Sequence, residues 1–314
     1  MVRKGSGSRM YDVLGVGCNA VDYLCPMDRY PIEDEKMQVE RIELQGGGNV
    51  ATALVAVARL GGRAAFHTVI AADHNTEWIL TSFKQEKVNT DHLIIKDGNN
   101  PLAVILINRS TGSRTIMYSK RNVATFQPDE VHGELIQHTK VLLIDFYFPE
   151  ASLAASKIAQ SLHIPVVVDA EKPSPLAEQI LCNCTHVIAS RGFALHFTGM
   201  DQNTTDDALI EEFSLHLESP FVCITFGERG ALAIDRATNR TFRQEAFKVD
   251  TVDSTGAGDV FHGAFAYFLS REYTLEKAIE YAAACAACKC RQIGGRSGIP
   301  TLVELEQFME EYTD

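Results

Sequence analysis

"VLLIDFYFPEASLAASKIAQSLHIPVVVDA" (residues 141–170) opens and closes on near-continuous Val, Leu and Ile runs. The runs VLLIDF (141–146) and IPVVVDA (164–170) predict strands buried on both faces, and 150–162 between them carries a helical pattern. Two such strands joined by a helix form a parallel crossover unit. The same rhythm extends both ways. Further strands are predicted at 11–17, 63–70, 186–190 and 221–226, and helices at 49–60, 75–87, 205–218, 257–270, 274–290 and 301–312. The alternation predicts a doubly wound, mostly parallel α/β sheet flanked by helices across residues 11–314, after a flexible lead-in at 1–10.

Two regions break the rhythm. Residues 28–46 and 101–122 read as strands with no helix between them, the second as a hairpin with Gly112 available for its turn. Strands inserted without crossover helices predict a small separate β-sheet, placed as a lid over a ligand site at the carboxyl ends of the core strands.

The formal net charge of −12 argues against nucleic acid as a partner, because a polyanion would be repelled. No apolar run approaches the roughly 20 residues of a membrane helix, and MVRKGSGSRM (1–10) has no apolar segment behind its basic residues. A cytoplasmic chain with no membrane partner is expected. Its eight cysteines fit a reducing compartment. CNC (182–184) and CAACKC (285–290) suggest a metal, but Cys285 and Cys288 sit three apart in an Ala-rich helical stretch, where small thiols pack. No structural metal is expected.

The chemistry concentrates in VDSTGAGDVFHGAF (252–265), where a β-rich stretch gives way to a buried helix. Gly256, Ala257 and Gly258 fall at the helix start and Asp259 in its first turn. Free N–H groups and the positive end of the helix dipole favour an anion there, and glycine lets the backbone approach it. A carboxylate beside such an anion hole can take the proton of a hydroxyl that attacks phosphorus. The plain alternative is an acidic residue stabilising the helix dipole by about 0.3–1 kcal/mol. GERG (227–230) after FVCITF is likewise either a phosphate-approaching loop or a hairpin turn.

The wider D-x-T-G-A-G-D (253–259), GGGNVATALVAVARLG (46–61) and DVLGVGCNAVDYLCPMDRYP (12–31) together resemble the PfkB (ribokinase-like) carbohydrate kinases over nearly the whole chain. AEKPSP (170–175) is similar to ketohexokinase, and KCRQIGGRSGIP (289–300) to the sulfofructose kinase type. The resemblance implies ATP-dependent phosphorylation of a small sugar, with Mg2+ accompanying ATP. It makes Asp259 the general base and Gly256, Ala257 and Gly258 the anion hole. Asp22, Gly47, Gly48 and Asn49 would bind the sugar, and Thr225, Gly227 and Gly230 would lie by the nucleotide phosphates. Asp253 and Thr255 match positions that hold a monovalent cation, usually K+, in many members. A homodimer through the lid strands is also implied.

Three departures stand out. The family's N-x-x-E is replaced by a stretch with Ser190 and Phe193 at those places. Thr52 replaces a second sugar-site asparagine, and Tyr147 stands where a sulfonate reader would carry arginine. His262 and Trp78 read as packing residues, EDE (33–35) as a solvated loop. Lys120 and Arg121 read either as anion-binding or as charges blunting an edge strand. Alternative functions are a nucleoside kinase of the same fold and a catalytically silent sugar-binding protein. A dehydrogenase is disfavoured, since GVGCNA lacks the third glycine of G-x-G-x-x-G.

Overall fold

The computed structural model describes residues 10–111 and 113–313; most of the lead-in and the expected turn residue Gly112 lie outside them. The elements run β1 (Tyr11–Val16), β2 (Ala20–Met27), β3 (Glu43–Gly47), α1 (Asn49–Arg59), β4 (Ala64–Phe66), β5 (Val69–Ala71), α2 (Thr76–Gln85), β6 (Ile94–Lys96), β7 (Leu102–Asn108), β8 (Arg114–Ser119) and α3 (Gly133–Gln137). They continue with β9 (Thr139–Asp145), α4 (Pro149–Ser161), β10 (Val166–Ala170), α5 (Ala177–Leu181), β11 (His186–Ser190), α6 (Arg191–Thr198) and α7 (Asp206–Leu215). The last are β12 (Phe221–Thr225), β13 (Ala231–Asp235), β14 (Arg240–Gln244), α8 (Ala257–Ser270), α9 (Leu275–Cys290) and α10 (Leu302–Thr313).

The apolar runs at 141–146 and 164–170 are neighbours in an eight-stranded sheet, ordered β14-β13-β12-β11-β10-β9-β1-β4. Strands β4 to β12 of that order are mutually parallel, and β13 and β14 add an antiparallel edge. Both faces are covered. Helices α1, α2, α8, α9 and α10 bury one face, and α3 to α7 the other. Covered faces explain why the strands read as unbroken apolar runs rather than alternating ones. The strand order reverses between β1 and β9, so the open crevice of a doubly wound sheet falls at their carboxyl ends. Cys18, just beyond β1, donates its N–H to Asp145 at the end of β9 (2.8 Å). Asp145 and Asp169 are register partners on β9 and β10, which places two carboxylates side by side at that edge.

A second sheet, ordered β3-β2-β7-β8, stands apart from the first. It differs from the expected one. Only Glu43–Gly47 at the end of the 28–46 region is a strand, and Ala20–Met27, not predicted as a strand, lies between β3 and β7. Asn19, Asp22 and Pro26 give that stretch a turn-like composition, and pairing on both sides overrides it. Pairing with β3 ends at Leu24, so Pro26 falls where the ladder is one-sided. The predicted strand at 63–70 divides into β4 in the main sheet and β5, which pairs with β6. Helix α6 was not predicted. Ser190 is its N-cap, accepting the Phe193 N–H (3.1 Å), and Phe193 is buried in the core. The positions of N-x-x-E thus serve here as a helix cap and a core side chain.

Candidate active site

Helix α8 begins where the glycines stand. Gly256 caps it in the left-handed region (φ 74°), and a Cβ there would lie 2.9 Å from the Gly295 backbone, so no side chain fits. Gly258 faces open space. Apart from that of Ala257, which donates to the Ser254 carbonyl (3.2 Å), the N–H groups of this first turn have no intrahelical partner and are available to an anion. Half-buried Asp259 stands beside them. Burial, reinforced by the carboxylates of Asp169, Glu171, Asp22 and Asp145, raises its pKa well above the ordinary carboxylate value.

The residues expected to bind the sugar come from the second sheet and the start of α1. Asp22, on β2, is buried, and burial pushes its pKa up to about 6 against the attraction of Arg296. Gly47 must be glycine because a Cβ would lie 2.1 Å from the Asp22 carboxylate. Gly48 (φ 88°) turns the chain from β3 into α1 against the backbone of Cys18 and Asn19. Asn49 donates through Nδ2 to Asp169 (3.0 Å) and Glu171 (3.1 Å), tying the start of α1 to the end of β10. Burial likewise raises the Asp145 pKa to about 7 and pushes Asp169 up.

Arg296 belongs to this site and was not singled out in the sequence. It is buried; its guanidinium donates to the Gly47 carbonyl (3.0 Å) and lies 3.4 Å from Thr52 Oγ1. A Cβ at Gly46 would lie 2.0 Å from its Nη1. Thr52, which replaces the expected asparagine, therefore seats this arginine. Two buried polar atoms nearby, Asn19 Nδ2 and Tyr147 Oη, have no hydrogen-bond partner among the described residues. The Lys120 ammonium lies 4.6 Å from the Tyr147 ring centroid and that of Lys172 5.4 Å from Tyr118. Lys120 is thus turned against the wall of the site.

Thr225 ends β12 beside Ser190 and packs its hydroxyl 3.4 Å from the Ala189 carbonyl. Gly227 (φ 63°) and Gly230 (φ 82°) make the turn into β13, closed by the Phe226 N–H to the Gly230 carbonyl (2.8 Å). A Cβ on Gly230 would lie 1.9 Å from the Gln244 carbonyl, so this glycine is required by the hairpin itself. Asp253 and Thr255 are buried: Asp253 Oδ1 accepts the Thr255 N–H (2.9 Å) and hydroxyl (2.7 Å), and Oδ2 accepts the Gly294 N–H (2.8 Å).

His262 is buried, as expected for packing, but it also reaches the site. Its ring nitrogens approach the Gly258 (2.7 Å) and Ile188 (3.1 Å) carbonyls, with Asp169 at 3.6 Å. Trp78 packs at the edge of the core. Cys285 and Cys288 are buried free thiols on α9.

The mostly parallel eight-stranded sheet with its flanking helices is shared with ribokinase structures. The model of the family described as "pfkB family carbohydrate kinase" matches residues 17–302. The chain belongs to that family and is an ATP-dependent carbohydrate kinase. It is 25% identical to the ribokinase of Haemophilus influenzae over 299 residues, covering 94% of this chain and 97% of that one. Identity to the ketohexokinase of Mus musculus is also 25%, over 291 residues, 88% of this chain and 95% of the other. The structure of Arabidopsis thaliana ribokinase complexed with ribose and ATP superposes with a TM-score of 0.82 at 19% identity, over 96% of this chain and 99% of that one. Among the described residues no helix is long and apolar enough to cross a membrane.

Proposed function

We propose that the protein transfers the γ-phosphoryl group of ATP to a hydroxyl of a small sugar, with Asp259 as general base. One observation carries this reading. Asp259, at the glycine-capped start of α8, shares its electrostatic environment with Asp22, Asp169 and Glu171, while Gly47, Gly48 and Asn49 enclose the adjoining space. A base, an anion hole and a hydroxyl-binding pocket thus meet at one edge. The Asp259 carboxylate takes the hydroxyl proton and the freed oxygen attacks the γ-phosphorus. The bond to the β-phosphate oxygen breaks, and the 256–258 backbone N–H groups hold the transferring group's charge.

Asp22 and the Arg296-buttressed backbone of 46–48 orient the acceptor, and the 225–230 turn adjoins the triphosphate. The hard carboxylate oxygens of Asp169 and Glu171, beside Asn49, suit Mg2+ carried in by ATP. The sheet β3-β2-β7-β8 serves as the lid, closing over the acceptor and excluding water, which would otherwise compete for the phosphoryl group. Strand β8 is exposed along its length, with Ile116, Met117 and Tyr118 outermost, and is the edge on which a second copy would pair.

Two measurements test the function. Asp259→Asn keeps the fold, read by circular dichroism, and lowers kcat by about 10²–10⁴-fold, the usual share of a general base; full activity in the folded variant refutes the role. A panel of D-ribose, D-fructose, sugar acids, sugar phosphates and adenosine with ATP identifies the acceptor. The anionic sugars belong in it because neither Lys120 nor Lys172 pairs with a carboxylate among the described residues. Turnover of adenosine alone would make the protein a nucleoside kinase, and sugar binding without ATP consumption a silent binding protein.

A further inference from the structure

The monovalent cation implied for Asp253 and Thr255 meets a loop that does not fit it. Asp253 is fully buried and each of its oxygens is already engaged. Thr255 donates twice to Oδ1 and Gly294 to Oδ2, while the carbonyl oxygen accepts from Lys289 Nζ at 2.6 Å. Lys289 comes from the last turn of α9 and is itself fully buried. A potassium ion on the Asp253 carbonyl would have to displace that ammonium or share one oxygen with it, two positive charges in a buried region. Repulsion at such separation, in a medium of low effective dielectric constant, opposes the ion strongly.

The ammonium is well placed to act in the ion's stead. Its acceptor, Asp253, is three residues before Gly256, and the Ala257 N–H bonds back to the Ser254 carbonyl (3.2 Å), so the lysine holds the strap that ends in the anion hole. Burial lowers its pKa, opposed by Asp253, Cys290 and Asp259. Asp259 is thus close enough to feel its charge. Arg114, on β8, donates to Ser254 Oγ (2.5 Å) from the solvent side of the same strap. A buried lysine is costly unless something uses its charge or its hydrogen bonds.

We propose that the Lys289 ammonium is the resident cation of the 253–256 loop, holding the anion hole in shape and supplying positive charge behind it, so that catalysis needs no monovalent metal ion. Lys289 is a positioning residue: it acts through Asp253 and the strap, not on the substrates. The inference rests on the 256–258 loop being the anion hole.

The wild-type protein is assayed for ATP consumption with the acceptor found in the panel, potassium absent or saturating, ionic strength held with tetramethylammonium chloride. Equal rates within about twofold are expected. Lys289→Met, of similar length but uncharged, should lower kcat by about a hundredfold with KM for the sugar little changed, the scale of losing one preorganised donor. Lys289→Ala, which opens room for an ion, should recover about tenfold on adding potassium or ammonium. Potassium should raise the melting temperature of Lys289→Ala and leave that of the wild type unmoved, a readout independent of turnover.

Saturable activation of the wild type by potassium, or full activity in folded Lys289→Met, overturns the proposal. If neither variant folds, the potassium response of the wild type decides alone. Potassium activation of the wild type together with a dead Asp259→Asn would remove only the role of Lys289. An active Asp259→Asn would remove the kinase mechanism itself.

Discussion

Substituting Asp22 by Asn should make the protein more stable at neutral pH while impairing it as an enzyme. Asp22 is buried, and its pKa moves from 3.8 to about 6, so folding favours its neutral form. The attraction of Arg296 is already contained in that value. Stability associated with the neutral form is fully present below about pH 4 and is lost as pH rises through about 6. A rise of about 2 pKa units corresponds to about 3 kcal/mol. About half of this penalty, ~1.6 kcal/mol, is already felt at pH 5 and the whole at pH 8. Asn has the same shape and never ionises, so the Gly47 approach, which forbids any added atom, is undisturbed. Urea unfolding at pH 5 and pH 8 reads the effect. The advantage of Asp22→Asn over wild type should grow by about 1.4 kcal/mol between the two. KM for the sugar should rise at least about tenfold, the worth of one charge-assisted hydrogen bond. An advantage that does not change with pH would show that burial does not raise the Asp22 pKa, and the account of the pocket's electrostatics would fall.

Two glycine substitutions test the scaffold. Gly263→Ala puts a methyl 2.1 Å from the Ala53 carbonyl, forcing α8 away from α1. It should cost about 1–3 kcal/mol and lower kcat along with the melting temperature; an unchanged melting temperature would contradict the close helix contact. Gly230→Ala collides with the Gln244 carbonyl at a positive φ and should distort the 225–230 turn. KM for ATP should rise more than KM for the sugar, and equal effects on both would separate that turn from the nucleotide.

Periodicity and burial made most of the core readable, because a strand covered on both faces advertises itself as an unbroken apolar run. The start of α8 was readable for a local reason as well: glycines and an acidic residue meet at a helix mouth within four positions. Strand β2 was not, since its polar and proline residues are tolerated only through partners more than 20 and about 80 residues away in sequence. Arg296 and Lys289 were missed for a related reason. In KCRQIGGRSG both look like ordinary surface cations, and only the packing of that segment under β3 and the 253–256 loop buries them. Gly230 shows the reverse case. Its local reading as a hairpin turn and its proposed place beside the nucleotide are compatible, because the hairpin sits at the carboxyl edge of the sheet.

The relation of α1 to α8 explains how the two substrates could be held at a fixed separation. Gly48 and Asn49, on the proposed acceptor side, stand at the start of α1; Gly256 to Asp259, on the proposed phosphoryl side, stand at the start of α8. Gly263 lets the two helices approach until it rests against the Ala53 carbonyl, about one turn into α1 and nearly two into α8. His262 then bonds the Gly258 carbonyl and faces Asp169, and Asp169 accepts from Asn49. The pocket and the anion hole are thus joined twice, by helix packing and by a buried polar chain. A shift of either helix start would move hydroxyl and phosphorus apart together with the groups that hold them. Phosphoryl transfer asks mainly for position and preorganised charge, and this pair of helices supplies both from parts of the chain about 200 residues apart in sequence.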